Sequence, residues 1–431
     1  MQSLKTKNFA AWLVLPAALL LAACFESPND DTGPTDVTPP SSYVFLGADG
    51  QSSVDYSGQT ARLLLIHDIQ SAARVPADTG YALTSFAASE ILKYYTHLDA
   101  DSLNIRTSVA GGKTRYHAKY AQIASGKSLH DKVSSATVIG YGLNTQALVT
   151  LWAGQISTNA LDATKRKKAA VYLDSNGVDL SQMISKVLAG AVAYHQATAV
   201  YLQEVTSKDN AALVSGKNYT VMEHNWDEAF GYFGAAVNYS DYSDDTLNIA
   251  AASYRDNNND GKIDFRSEYN FSMMGRYTAR RDRGLAPQDW SGDAFKAFLK
   301  GRALISAKAS AAEIAAQRAI IVDVWDKTYA SNVISYIKGT KDILAVDTGL
   351  VAPSGLAGNW SELKAFAVCL QFNPYKKISD ADLAKLHAYI GTYPVRGSGK
   401  AAYVAKLDSA FTLVKSVYGF SDAQVNATTW R

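Results

Sequence analysis

The segment Asp256-Asn257-Asn258-Asn259-Asp260-Gly261-Lys262-Ile263-Asp264 places side-chain oxygens at positions one, three, five and nine of a loop whose sixth residue is glycine. Alternate side chains of such a loop converge on a hard cation, the glycine permits the sharp turn, and the Lys262 carbonyl supplies position seven. The spacing therefore predicts a calcium site built from Asp256, Asn258, Asp260, Lys262 and Asp264, anchored in the core by Ile263. Position twelve, where a bidentate carboxylate belongs, is Ser267, and Glu268 comes one place late. A shifted exit would bring Glu268 to the ion, with weak affinity as the consequence. The competing expectation is a solvated Asn/Asp turn, which the same composition suits.

The second segment with chemical content runs from Asn218 to Gly234. As a helix it puts Met222, Trp226, Ala229, Phe230 and Phe233 on one face and His224 and Glu228, one turn apart, on the other. An imidazole and a carboxylate so placed can bind a transition metal or share a proton. A protease helix of the HExxH kind would need a second histidine there, and none is present. The alternative is an exposed or inter-helix hydrogen-bonded pair.

Elsewhere the chemistry thins out. His67, His97, His117, His130, His195 and His387 are dispersed, with no two at metal-ligand spacing, and His195 sits on an apolar seam where a buried, hydrogen-bonded ring is expected. There is no G-x-S-x-G elbow, P-loop or dinucleotide fingerprint. Cys369 lies in an apolar run and reads as inert core. Arg276, Arg280, Arg281 and Arg283 form a basic cluster that is expected to balance Asp282, Asp256, Asp260 and Asp264 rather than to hold an anion.

The elements that must carry these residues are helices. Apolar spacing of three and four begins at Gly58 to Arg74, is clearest from Leu180 to Val205, and recurs from Ala311 to Lys338, where Gly339 predicts a stop. A further helix is expected from Ser361 to about Phe372, before Pro374, and the next starts at Ser379 with Asp382 in capping-box spacing. Strand signals are short and scattered, the first at Tyr43-Val44-Phe45-Leu46. The fold class expected is all-α: a multi-helix bundle with long loops over residues 43–431, as one domain or two intimate bundles.

The N-terminus carries Lys5 and Lys7, an apolar stretch from Phe9 to Leu21, and Leu21-Ala22-Ala23 directly before Cys24. This is a lipobox: residues 1–23 form a secretory signal and Cys24 becomes the lipid-bearing first residue of the mature chain. Acyl chains on Cys24 suffice for membrane anchoring. Residues 24–42, rich in Pro, Ser, Asp, Asn and Thr, read as a disordered tether. Phe25 in place of Asp after the lipidated cysteine favours the outer membrane in a cell with two. With Cys24 acylated, Cys369 has no disulfide partner. Lys plus Arg number 42 against 40 Asp plus Glu, a net charge of +2, which gives no bias toward nucleic acid.

The block from Gly216 through His224-Asn225-Trp226-Asp227-Glu228-Ala229-Phe230-Gly231-Tyr232-Phe233-Gly234 resembles the hallmark of the bacterial lipoprotein family of the domain of unknown function 4856. Val54 to Arg62, Glu268-Tyr269-Asn270-Phe271, Ala279-Arg280-Arg281-Asp282 and Ala294-Phe295 to Gly301-Arg302-Ala303 resemble its other blocks, over about residues 43 to 395. A more distant similarity is to imelysin-like envelope proteins associated with iron uptake, whose helix pairs a histidine with a glutamate three residues on, where His224 and Glu228 are four apart. The resemblance implies an imelysin-like helical lipoprotein of the bacterial envelope. Three readings follow from the residues and the resemblance together: a non-enzymatic protein binding a metal or metal-bearing ligand at His224 and Glu228; a metal-dependent hydrolase with Glu228 as base and His224 as ligand; and a structural or adhesive module whose helix faces bind other proteins.

Overall fold

A computed structural model describes residues 35–272, 274–350 and 355–430. The signal segment, Cys24 and the tether as far as residue 34 lie outside the described residues. Asp36 to Arg431 form one compact unit. It takes in the end of the expected tether, because Val37 packs on the core and its carbonyl accepts a hydrogen bond from Lys300 Nζ at 2.7 Å.

The fold is all-α, as expected. Helices α1 (Ser57–Arg74), α2 (Ser89–Thr96), α3 (Thr145–Leu161) and α4 (Leu180–Leu188) are followed by α5 (Val221–Phe233), α6 (Asp244–Asn248), α7 (Met274–Asp282) and α8 (Trp290–Ser306). Then come α9 (Ala311–Ala345), α10 (Leu356–Cys369), α11 (Asp380–Ile390), α12 (Lys400–Tyr418) and α13 (Asp422–Asn426). Among the described residues the only strands are β1 (Thr114–Arg115) and β2 (Lys262–Ile263), paired in parallel. The expected strand at Tyr43 amounts to a single bridge between Leu46 and Ser52. Helix α9 packs against α8, α10 and α12, while α4 lies between α1, α3 and α10.

Local signals fix several helix starts. Ser379 Oγ accepts from the Asp382 amide at 3.0 Å, and Ser310 with Glu313 and Thr220 with Glu223 close capping boxes on α9 and α5. Three helices differ from the sequence expectation. Helix α10 starts at Leu356 rather than Ser361 and passes into a 3-10 turn over Leu370–Phe372. Helix α9 runs through Gly339 to Ala345, because that glycine is where α10 comes close: a Cβ there would stand 2.5 Å from Asn359 Oδ1. Asn359 donates to the Tyr336 carbonyl across the same contact. The seam starting at Leu180 is α-helical only to Leu188 and then widens into π-helical turns over Ala189–Tyr194 and Gln196–Leu202. The widening coincides with Gly190, whose missing Cβ admits Cys369 of α10. His195, expected to be buried and hydrogen-bonded, is half-buried and bonded to the Phe372 backbone.

Two packed sites generate tests. Trp226 of α5 packs on α8 where Gly301 has no side chain; a Cβ would stand 2.0 Å from the indole. Gly301→Ala should lower stability by about 1–3 kcal/mol, read from the urea midpoint. Asp326 on α9 accepts from the Tyr418 hydroxyl at 3.0 Å and the Lys377 amide at 2.7 Å, and burial pushes its carboxyl up to about 6. An acid whose folded pKa exceeds its unfolded value of about 3.9 favours folding only while protonated, so this contribution is lost as pH rises from about 4 to about 6. Asp326→Asn should flatten that part of the stability profile and stabilise the chain at pH 7 by about 1–3 kcal/mol.

Candidate functional site: a polar cleft beside α1 and α5

Helix α5 has two polar edges with different surroundings. Glu223 and Asp227 point inward, where Arg302 of α8, with no side-chain exposure, meets both: Nη1 lies 2.7 Å from Glu223 Oε1 and Nε lies 3.0 Å from Asp227 Oδ1. The guanidinium also donates to the carbonyl and hydroxyl of Ser53. Tyr43 donates to Asp227 Oδ1 at 2.8 Å while its ring stacks on Phe230 at 3.6 Å. Burial pushes the Asp227 carboxyl up against the pull of Arg302, and its Oδ2 has no partner. Burial likewise opposes ionisation of Glu223, but Arg302 and the Thr220 amide outweigh it and hold that carboxyl low.

His224 and Glu228, one residue further along at each step, face outward into a cavity of about 260 Å³ lined also by Asp55, Gln59, Arg62 and Lys127. The apolar face expected for α5 is buried as foreseen. Glu228 Oε1 accepts from Gln59 Nε2 at 2.7 Å, and Glu228 Oε2 is 3.9 Å from His224 Nε2. Tyr219 stacks on the imidazole at 4.5 Å and 11°, and its Nδ1 has no hydrogen-bond partner. Glu228 therefore combines the two expectations, an inter-helix hydrogen bond and a place beside the histidine. Two ligands of one ion at about 2.1 Å in tetrahedral geometry stand about 3.4 Å apart, a separation that a small side-chain rotation from 3.9 Å would reach. Among the described residues no three His, Cys, Asp or Glu side chains are gathered around a common ion position. Asp55 is buried by half, which raises its carboxyl, yet the Ser57 hydroxyl and amide, with His224 and Lys217, hold it below the ordinary value.

A second cavity of about 350 Å³ shares Asp55 and Ser57 with the first and reaches Asp264 and Arg266. It thereby adjoins the Asp256 loop. There Asp256 Oδ1 accepts from the Asp260 amide at 3.0 Å, and Oδ2 accepts from the Gly261 amide at 2.9 Å and Lys113 Nζ at 2.5 Å. Asn258 Oδ1 accepts from the Asp260 amide, and Asp260 Oδ1 from the Lys262 amide. Gly261 takes the positive φ of 80° that the turn needs, and Ile263 is buried. Glu268, one place late in the sequence, does return to the loop, accepting from the Asn257 and Asp264 amides at 2.8 and 2.9 Å. Asp264 is paired with Arg266 at 2.7 Å.

The arginine cluster is not balanced by the acids expected from the sequence. Arg276 donates to the Leu247 carbonyl, Arg280 to Asn248, Arg281 to the Thr429 carbonyl and Asn332, and Arg283 to Asp245. Burial of α7 brings carbonyls to these side chains and holds Arg281 down to about 9. Cys369 is buried and free, and burial pushes its thiol up, so a thiolate nucleophile is disfavoured.

A family described as Domain of unknown function (DUF4856) matches residues 40–378. The chain belongs to this family. The match takes in Tyr43, Ser53, α1, α5, the Asp256 loop and Arg302, so the cleft and the ion network beneath it lie inside the family domain. No curated protein and no solved structure matches the chain.

Sequence reasoning missed Glu223, Asp227 and Arg302 as a unit. Their signal was the acidic i, i+4 pair on α5, one residue before His224 and Glu228 at each step, together with an arginine inside the later Gly301-Arg302-Ala303 block. Truncating the cation leaves two buried carboxyl groups without their partner. Arg302→Ala should therefore cost about 3–5 kcal/mol in chemical unfolding, whereas Lys127→Ala at the cleft rim should change stability by less than about 0.5 kcal/mol.

Proposed function

We propose that this protein is a lipid-anchored, non-enzymatic binding protein of the bacterial envelope that takes a metal-bearing ligand in the cleft between α1 and α5. The observation that carries the reading is the placement of His224 and Glu228 together on the wall of that cleft, 3.9 Å apart, in a lining that also holds Arg62 and Lys127. Two protein ligands leave most coordination positions of an iron or similar ion open. Arg62 and Lys127 suit an anionic carrier that fills those positions, so the ligand class is a transition metal held by a small polycarboxylate chelator. Cys24 supplies the anchor, and Phe25 favours the outer membrane.

In the same reading the Asp256 loop takes calcium. Asp256, Asn258, Asp260 and the returned Glu268 surround one turn, and the Lys113 ammonium rests on Asp256 where a cation is stabilised. Calcium would displace that ammonium, and its role is structural.

The test uses the full chain extracted in detergent. Elemental analysis after incubation with ferric citrate, and separately with calcium, is compared for the parent, His224→Ala and Asp260→Ala. Iron should be lost at least tenfold with His224→Ala alone, and calcium with Asp260→Ala alone. Equal iron in parent and His224→Ala would remove the binding reading. Incorporation of labelled palmitate that vanishes in Cys24→Ser is the expected result for the anchor.

A further inference from the structure

Lys364 on α10 and His387 on α11 lie apart from both cavities and from the network around Arg302. They are 1% and 5% exposed, and Lys364 Nζ stands 3.1 Å from His387 Nδ1. The Tyr141 ring lies 5.4 Å from the same nitrogen. Buried lysines are ordinarily paired with a carboxylate, yet among the described residues none reaches this one, and burial alone holds its amine down, at about 8. The histidine is pushed down to about 3, by burial and then by the lysine it faces. An ammonium donating to Nδ1 leaves the ring hydrogen on Nε2, and Nε2 has no partner. Two basic groups thus face each other out of water, an arrangement that costs stability and leaves a fraction of the lysine as free amine at neutral pH.

The covering over this amine is thin. Gly140 is exposed and adopts a φ of 84°; a Cβ there would stand 3.4 Å from Lys364 Nζ and 3.5 Å from the His387 ring. The turn that carries Gly140 is closed by Val138 donating to the Leu143 carbonyl at 2.8 Å, with Tyr141 and Gly142 donating back to Val138. The exposed Gly140 turn therefore lies directly against the amine, and only glycine combines the required φ with the absence of a side chain there.

We propose that Lys364 is a nucleophilic amine that takes a small aldehyde or ketone as an imine beneath the Gly140 turn, with His387 as the residue that positions it. The lone pair of Nζ forms the C–N bond, the nitrogen's protons pass to the carbonyl oxygen, and that oxygen leaves as water; no oxidant or reductant enters. A lysine desolvated in this way is a general solution for carbonyl capture. The site is independent of the cleft and of the function proposed for it.

The full chain is treated at pH 7 with propionaldehyde and cyanoborohydride, which fixes an imine by reduction, and modified lysines are mapped by peptide mass spectrometry. Lys364 should be alkylated at least tenfold faster than exposed Lys167 and Lys406, and that excess should disappear when the chain is unfolded in urea. His387→Leu should remove most of the excess while His387→Gln, which keeps an acceptor for the amine, retains more of it. Exposed lysines modified with Lys364 unmodified, or Lys364 reacting at the same rate in the native and unfolded chain, would overturn the proposal, whatever the variants do.

Discussion

A guanidinium with no access to water must have every donor met, and Arg302 meets this condition by joining three parts of the chain. Glu223 and Asp227 come from α5, Ser53 from the hairpin that starts at Tyr43, and the arginine itself from α8. A buried charge tolerates few alternative arrangements, since an unpaired one costs several kcal/mol. The network therefore fixes the rotation of α5 about its axis. With Glu223 and Asp227 turned to Arg302, His224 and Glu228 have only the cleft to face.

The same region joins the cleft to the Asp256 loop. Tyr56, directly before α1, donates to the Arg266 carbonyl at 2.7 Å, and Arg266 holds Asp264 of the loop. Asp55 and Ser57 on either side of Tyr56 line both cavities. Gln59, within the first turn of α1, carries the connection on to Glu228. From the loop to the His224 pair the path runs through a few residues at the start of one helix, so the placement of that helix sets both sites.

Much of the helical framework was legible because its causes are local. Ser379 and Asp382 cap α11 as their spacing predicts, and the apolar stripe of α5 is buried residue for residue. Gly339 misled because a glycine has two uses: it ends helices, and it lets another helix approach. Only the position of Asn359, twenty residues later in the chain, shows which applies. The regular seam after Leu180 hid its π-helical turns for the same reason, since Cys369 meets Gly190 across a helix contact that periodicity does not encode. Arg276 and Arg281 of α7 found the backbone carbonyls of Leu247 and Thr429, partners that carry no side-chain signature.

By itself the sequence determined the all-α class, the principal caps, the paired outward placement of His224 and Glu228 and the turn at Gly261, because these follow from residue spacing and backbone preference over one or two turns. Tertiary structure alone decided that Arg302 would lie between Glu223 and Asp227, that Glu228 would be held by Gln59, and that Lys364 would face His387 without a carboxylate. Each of these joins residues from different helices; the first two are fixed by the cost of leaving a buried polar group unpaired, and all three are set only when the helices pack.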